Sequence, residues 1–158
     1  MTHPSLFATF RVAHLRFGVM VEQVQEVLRF QEMTGVPLAP SVIGGLINLR
    51  GQIVTAVDLR RRLGLSDRAD GGKPMNVILR TPYGPVSLLV DRIGDVMKLD
   101  DENFELPPAT ASAETRSLVR GVYKEPDGLV HVLNVEHVLD VPAADTGRNG
   151  SRSWRPGA

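Results

Sequence analysis

The sequence predicts an all-β protein: two small barrels packed on one another and related by an approximate twofold, with short helices. Three observations predict it. Apolar runs are short and bounded by glycine, proline, asparagine and aspartate, the residues that make turns. The chain also repeats itself. Val21-Glu22-Gln23-Val24-Gln25-Glu26-Val27-Leu28 matches Val90-Asp91-Arg92-Ile93-Gly94-Asp95-Val96-Met97 in apolar and acidic character, 69 residues on (from 21 to 90). Ile53-Val54-Thr55-Ala56-Val57-Asp58-Leu59 matches Leu129-Val130-His131-Val132-Leu133-Asn134-Val135, 76 residues on (from 53 to 129). Finally, neither half alone has much apolar content, and small β units of short strands close into barrels to remove their exposed edges.

Residues 1–5 read as a loose leader. Residues 6–12 alternate and are rich in β-formers, so they predict a strand, and a turn at Ala13-His14 leads to a second strand over 15–21. Residues 22–28 predict a turn passing into a strand near Gln25. Gly35, Pro37 and Pro40 make 33–40 a loop. The stretch 44–59 reads as strand, tight turn, strand, with Arg50 on the turn and Gly51 after it, where the backbone needs freedom from a side chain. Asp58 is the N-cap of a short helix that ends at Gly64.

Residues 66–74 are polar, contain Gly71-Gly72, and predict a linker between halves. Strands follow over 75–80 and 86–90 around a turn at 81–84. Asp100, Asp101 and Glu102 form a charge run, and 107–117 reads as a loop that absorbs the difference of seven between the two repeat offsets (76 against 69). Residues 119–123 and 129–133 pair as a hairpin across Pro126-Asp127-Gly128, and Asn134 caps a last helix through Leu139. The expected organisation is a leader over 1–5, a domain over 6–141 with subdomains at about 14–70 and 75–125 completed by the terminal segments, and a disordered tail over 142–158.

Composition narrows the function. At 158 residues and 42% apolar, the chain is long and apolar enough to bury a core. Eighteen basic residues balance eighteen acidic ones, which argues against binding nucleic acid through bulk charge. A small-barrel nucleic-acid module would need basic residues interleaved with surface aromatics, and of the eight aromatics Phe7, Phe10 and Phe17 read as buried. There is no cysteine, hence no disulfide or thiolate metal site. No secretory signal and no run of about 20 apolar residues is visible, so contact with a membrane is expected only through a partner.

Catalytic patterns are missing. No Gly-x-Ser-x-Gly elbow or phosphate loop occurs. His3, His14, His131 and His137 lack metal-ligand spacing, and His131 alternates with core residues on a strand. Asp100 and Asp101 read as a solvated loop, and Arg60, Arg61 and Arg62 as a charged face of a short helix. No catalytic residue, metal or cofactor is expected. Arg50 has two readings: a turn arginine idling in solvent, or one held in a fixed pose at a recognition surface.

Asn48-Leu49-Arg50-Gly51, followed by Ile53-Val54 and Val57-Asp58-Leu59, resembles the central signature of the CheW-like domain, the coupling proteins of bacterial chemosensory arrays. Phe17-Gly18-Val19, the segment 24–27 and the segment 90–96 extend the resemblance from about 6 to 139. It implies two five-stranded, SH3-like barrels with a shared apolar seam. It also implies a non-catalytic cytoplasmic adaptor between the helical hairpin tip of a methyl-accepting chemoreceptor and a histidine kinase whose regulatory domain has the same fold. The pathway would be chemotaxis, twitching or another sensory route. The implied receptor-binding residues are Val24, Glu26, Gly45, Asn48, Arg50, Ile93 and Val96, with Glu26 anchoring Arg50. Val24, Ile93 and Val96 are expected at the edge of the seam, lining a groove for a helix, and Val27 in the core. Gly45 is expected to give backbone clearance for docking.

Overall fold

Alternation of apolar and polar residues makes strands of both ends of the chain and of its middle, and the strands sort into two main sheets. The computed structural model describes residues 5–69, 71–142 and 153–154. In the first half β1 (Ser5–Val12) and β2 (Leu15–Met20) form a hairpin, and a 3-10 turn (Val21–Gln23) leads to β3 (Val24–Leu28). A second hairpin joins β4 (Ile43–Leu49) to β5 (Gln52–Asp58), followed by α1 (Leu59–Arg62). The second half repeats the plan. It runs through β6 (Met75–Leu79), β7 (Val86–Val90), β8 (Arg92–Leu99), the short β9 (Phe104–Glu105), α2 (Ala113–Leu118), β10 (Val119–Glu125), β11 (Gly128–Leu133) and α3 (Val135–Leu139).

The halves exchange strands. One sheet has the order β8-β1-β2-β11-β10-β9 and the other β3-β6-β7-β5-β4. The second is drawn wholly from 24–90 and the first from the two ends of the chain, so the sheets do not follow a division at 14–70 and 75–125. The twofold relation survives the exchange. The parallel pair of Phe17 with His131 in one sheet corresponds to Val86 with Thr55 in the other, at the offsets of 69 (17 to 86) and 76 (55 to 131) found in the sequence. Val24 opposite Leu79 corresponds in the same way to Ile93 opposite Phe10, and a bulge follows at both places.

Each sheet curls until its outer strands meet. In the five-stranded sheet Thr34, beyond the end of β3, exchanges two backbone hydrogen bonds with Leu46 of β4, at 2.9 and 2.8 Å. In the other, β9 plays the same part, pairing Glu105 with Val122 and Phe104 with Tyr123. Counting β9 separately is why that sheet has six strands rather than the expected five. Each curl encloses a small core: Phe7, Leu99, Tyr123, Val130 and Val132 in one, Ile47, Leu49, Val54 and Ile78 in the other. A larger core lies between the sheets and holds Phe10, Phe17, Val57, Leu79, Leu88 and Val138 among others. β1 supplies both kinds. Side chains alternate between the two faces of a strand, so Phe7 faces its own barrel while Phe10 and Val12 face the seam.

Several expectations change. Val27 is 40% exposed and not core. The loop expected over 107–117 contains α2, which Ser112 caps by accepting a hydrogen bond from the Thr115 amide. The stretch 66–74 joins the two halves of the sequence but does not divide the two sheets, because β5 before it and β6 after it belong to one sheet. Ser5 already belongs to β1, and the rest of the expected leader lies outside the described residues. Of the tail, β12 (Val141–Pro142) pairs with β13 (Ser153–Trp154), and the remaining tail positions lie outside the described residues. Asp58 and Asn134 cap α1 and α3 as expected, accepting from the amides of Arg60 and His137.

The three arginines of α1 are not an idle charged face. Arg60 grips Asp91, Arg61 reaches Asp67 and the Ser41 carbonyl, and Arg62 donates to the carbonyls of His137, Val138 and Asp140 at the end of α3. Cationic donors on the last carbonyls of a helix offset its unpaired acceptors and the negative end of its dipole.

Candidate functional site

The hairpin of β4 and β5 closes through two residues, Arg50 and Gly51, between the paired Leu49 and Gln52. Both have positive φ, 51° and 87°. That is the type I′ geometry whose twist matches the strands it joins. Gly51 adopts it freely, whereas arginine at such a position costs about 1 kcal/mol. Asn48 Oδ1 accepts from the Gly51 amide at 2.8 Å and so locks the turn.

Held this way, the Arg50 side chain reaches across the closure of the sheet to Glu26 on β3, where Nη2 donates to Oε1. β3 and β4 are the two outer strands of this sheet, so the ion pair spans the line where the curled sheet meets itself. The guanidinium side chain is 69% exposed and the carboxylate side chain 22%. Only one arginine nitrogen is engaged by Glu26, which leaves most of a planar fork of donors facing solvent. An exposed pair of this kind contributes about 0.2–1 kcal/mol to stability, so its value lies in the pose it fixes.

The twofold does not extend to this feature. Position 50 maps to Pro126 in the other hairpin (50 to 126, the offset of 76). Asp127 of that turn pairs instead with Arg16 through two hydrogen bonds of 2.9 Å. The equivalent hairpin of the other barrel therefore has no arginine to match Arg50.

The remaining sequence-derived residues separate. Val24 begins β3, is half-buried and packs against the core between the sheets. Ile93 and Val96 lie on β8 of the other sheet, 36% and 60% exposed, among a run of exposed residues. Val24, Glu26, Asn48 and Arg50 thus belong to one barrel and Ile93 and Val96 to the other. Gly45 is buried. A Cβ there would stand 2.8 Å from the Thr34 carbonyl oxygen and 2.9 Å from the Met33 Cβ, so its clearance serves the closure of the sheet within the chain.

Sequence reasoning missed a second charged cluster. Asp91 is the single residue between β7 in one sheet and β8 in the other. Its carboxylate accepts from Arg60 Nε and Nη2 and from the Ala13 amide, at 2.7–3.1 Å. Arg68 stands between Asp91 and Asp58, 2.8 and 3.1 Å away. In sequence Asp91 shows only as the acid that matches Glu22 in the repeat, which does not single it out as a charge partner. Burial is the strongest single influence on the Asp91 carboxyl and favours its neutral form, but the bonds from Arg60 and Ala13 and the charges of Arg68 and Arg60 together hold its pKa below the ordinary 3.8. A depressed carboxyl pKa contributes stability that is complete above 3.8 and is lost as pH falls through the lower folded value. Urea unfolding should therefore show no contribution to pH dependence from Asp91 between about pH 7 and pH 5, and a steeper acid loss in the native chain than in Asp91→Asn.

Comparison with known proteins bears on the same features. Residues 6–143 match the family model described as the CheW-like domain. The chain is 30% identical over 130 residues to the chemotaxis protein CheW of Rhizobium meliloti, covering 82% of this chain and 84% of the relative. It is 28% identical over 131 residues to the chemotaxis protein CheW of Bacillus subtilis, covering 83% and 84%. Among solved structures, the scaffolding protein TtCheW of Thermoanaerobacter tengcongensis superposes with a TM-score of 0.79 at 26% identity, covering 93% of this chain and 100% of that one. With the duplicated sheets, the Asn48-Leu49-Arg50-Gly51 turn and these matches in agreement, the chain belongs to the CheW-like domain family.

Proposed function

We propose that this chain is a non-catalytic adaptor that couples methyl-accepting chemoreceptors to a CheA-type histidine kinase in a bacterial chemosensory array. The observation that carries the reading is Arg50: an arginine kept at positive φ and tied across the barrel closure by Glu26, with its donor fork outward. Such a group is costly as decoration and useful for recognition. The partner surface is the helical hairpin tip of the receptor, met by Val24, Glu26, Asn48 and Arg50 on one barrel. Gly45 supports that surface from beneath. Ile93 and Val96 on β8 extend apolar contact from the other barrel. The second partner is the kinase's regulatory domain of the same fold, through contacts of modest area with apolar centres.

The protein moves no chemical group. It fixes receptor and kinase relative to one another, so that the receptor's conformation biases the kinase. No helix among the described residues is long and apolar enough to cross a membrane. The adaptor reading itself places the protein in the cytoplasm, meeting membranes through receptors. Zero formal net charge and the internal use of Arg60 and Arg62 leave the nucleic-acid reading with little support. A sensory pathway other than chemotaxis would use the same surfaces with a different receptor.

The test is reconstitution of receptor-containing membranes, kinase and purified protein. Kinase should sediment with the membranes, and its autophosphorylation should rise, only when the protein is added. A kinase that sediments and responds equally well without it would remove the adaptor reading.

A further inference from the structure

The chain crosses from one sheet to the other between β2 and β3 and again between β7 and β8, and the two crossings are built differently. At the first, the 3-10 turn over Val21–Gln23 spans the gap, and the Arg80 guanidinium donates to the carbonyls of Glu22 and Val24 at 3.1 and 2.8 Å. At the second there is no turn. Asp91 alone separates Val90, in one sheet, from Arg92, in the other. Its amide donates to the Arg11 carbonyl of β1 at 3.0 Å, so its backbone is tied to one sheet. Its carboxylate accepts from Arg60 of α1, which follows directly on β5 of the other sheet, and from Ala13 in the β1–β2 turn. Arg68 adds a second cation, also paired with the α1 cap Asp58. The side chains of Asp58, Arg60, Arg68 and Asp91 are only 10–17% exposed. Arg68 Nη2 is buried with no hydrogen-bond partner, and its Nε lies 2.8 Å from Asp91 off the line of a good hydrogen bond. Two cations and two anions are thus packed where the sheets join, with Asp91 the carboxylate that faces both guanidinium groups.

We infer that Asp91 is a positioning residue that fixes the orientation of the two sheets, so that the barrel bearing Arg50 and the barrel bearing β8 behave as one rigid body. Packing of the apolar seam holds the sheets together but is not directional. Bidentate arginine and carboxylate pairs are directional. Asn at 91 keeps the size and shape and removes the charge, leaving Arg60 and Arg68 largely buried without their shared counter-ion. The consequence for signalling rests on the adaptor reading, because a scaffold transmits geometry only as well as its halves keep theirs. The orientation itself can be measured without partners.

The experiment is NMR of the full chain, weakly aligned, with backbone N–H residual dipolar couplings collected for the strands of both sheets. In the native protein one alignment tensor should fit both sheets together. In Asp91→Asn each sheet should still fit its own tensor while the joint fit is lost. Asp127→Asn is the control, since it breaks the bidentate pair with Arg16 inside a single sheet, and its joint fit should stay native. If Asp91→Asn does not fold, Arg60→Lys takes its place, keeping the charge and losing the fork. A joint fit that survives in the variant overturns the proposal. So does loss of fit within each sheet, which would make Asp91 a general stabiliser only. Failure of the reconstitution above would leave these couplings untouched, so the two ideas fail separately.

Discussion

Arg50→Ala is expected to weaken co-sedimentation with a receptor cytoplasmic fragment by about tenfold or more, the loss seen when a hot-spot arginine is removed, while changing the unfolding free energy by no more than about 1 kcal/mol. The two numbers separate because of where the side chain sits. It is 69% exposed, its one ion pair is at the surface, and little packing depends on it. Arg50→Gly sharpens the test. Glycine relieves the positive φ of 51°, so the variant should be as stable as the native chain or more so by about 0.5–1 kcal/mol, and still bind poorly. A change that improves the fold and removes the interaction is hard to explain unless the native residue is kept for recognition. Arg50→Lys should recover little, because an ammonium does not reproduce the planar fork. Native-level sedimentation of Arg50→Gly would show that the fork faces no partner and would take the proposed receptor surface with it.

The halves of this molecule were legible in the sequence because the repeat is written in residue type and spacing. The offsets of 69 and 76 that align Val21 with Val90 and Ile53 with Leu129 also align the parallel strand pairs and the helix caps Asp58 and Asn134. The turn at Arg50 was legible for the same local reason. What stayed hidden is non-local. Nothing in β3 or β8 says that each will join the hairpin of the other half, because an edge strand pairs equally well with either neighbour by pattern alone. Val27 read as core because β-branched residues usually are, yet it lies on an outer strand, 40% exposed. Arg60 to Arg62 read as solvated because a run of like charges usually is, and their partners Asp91 and the end of α3 are 31 and about 76 residues away in sequence. Helix α2 was obscured by small and polar residues that favour loops, with only Ser112 and Glu114 as starting signals.

Gly45→Ala is expected to cost about 2–4 kcal/mol of stability, by adding overpacking to backbone strain. The new carbon would stand 2.8 Å from the Thr34 oxygen and 2.9 Å from the Met33 Cβ, and φ at this residue is 150°. Backbone cannot swing away as a side-chain tip can, so either the Thr34 segment lifts or β4 shifts. Both movements break the paired bonds of Thr34 with Leu46 that close the barrel. Gly51→Ala separates the two contributions. Gly51 also has positive φ, but a Cβ there meets nothing within 4 Å, so it should lose only about 1 kcal/mol. Urea unfolding of the two variants measures the difference, and amide exchange at Leu46 locates it: opening should be faster in Gly45→Ala and native-like in Gly51→Ala. Glu26 and Arg50 approach each other across that same closure, so a lifted Thr34 segment also releases the arginine's anchor. Receptor binding by Gly45→Ala should then fall with the folded, closed fraction and return when an osmolyte restores it. Weak binding by a fully closed Gly45→Ala protein would instead place the glycine at the docking surface.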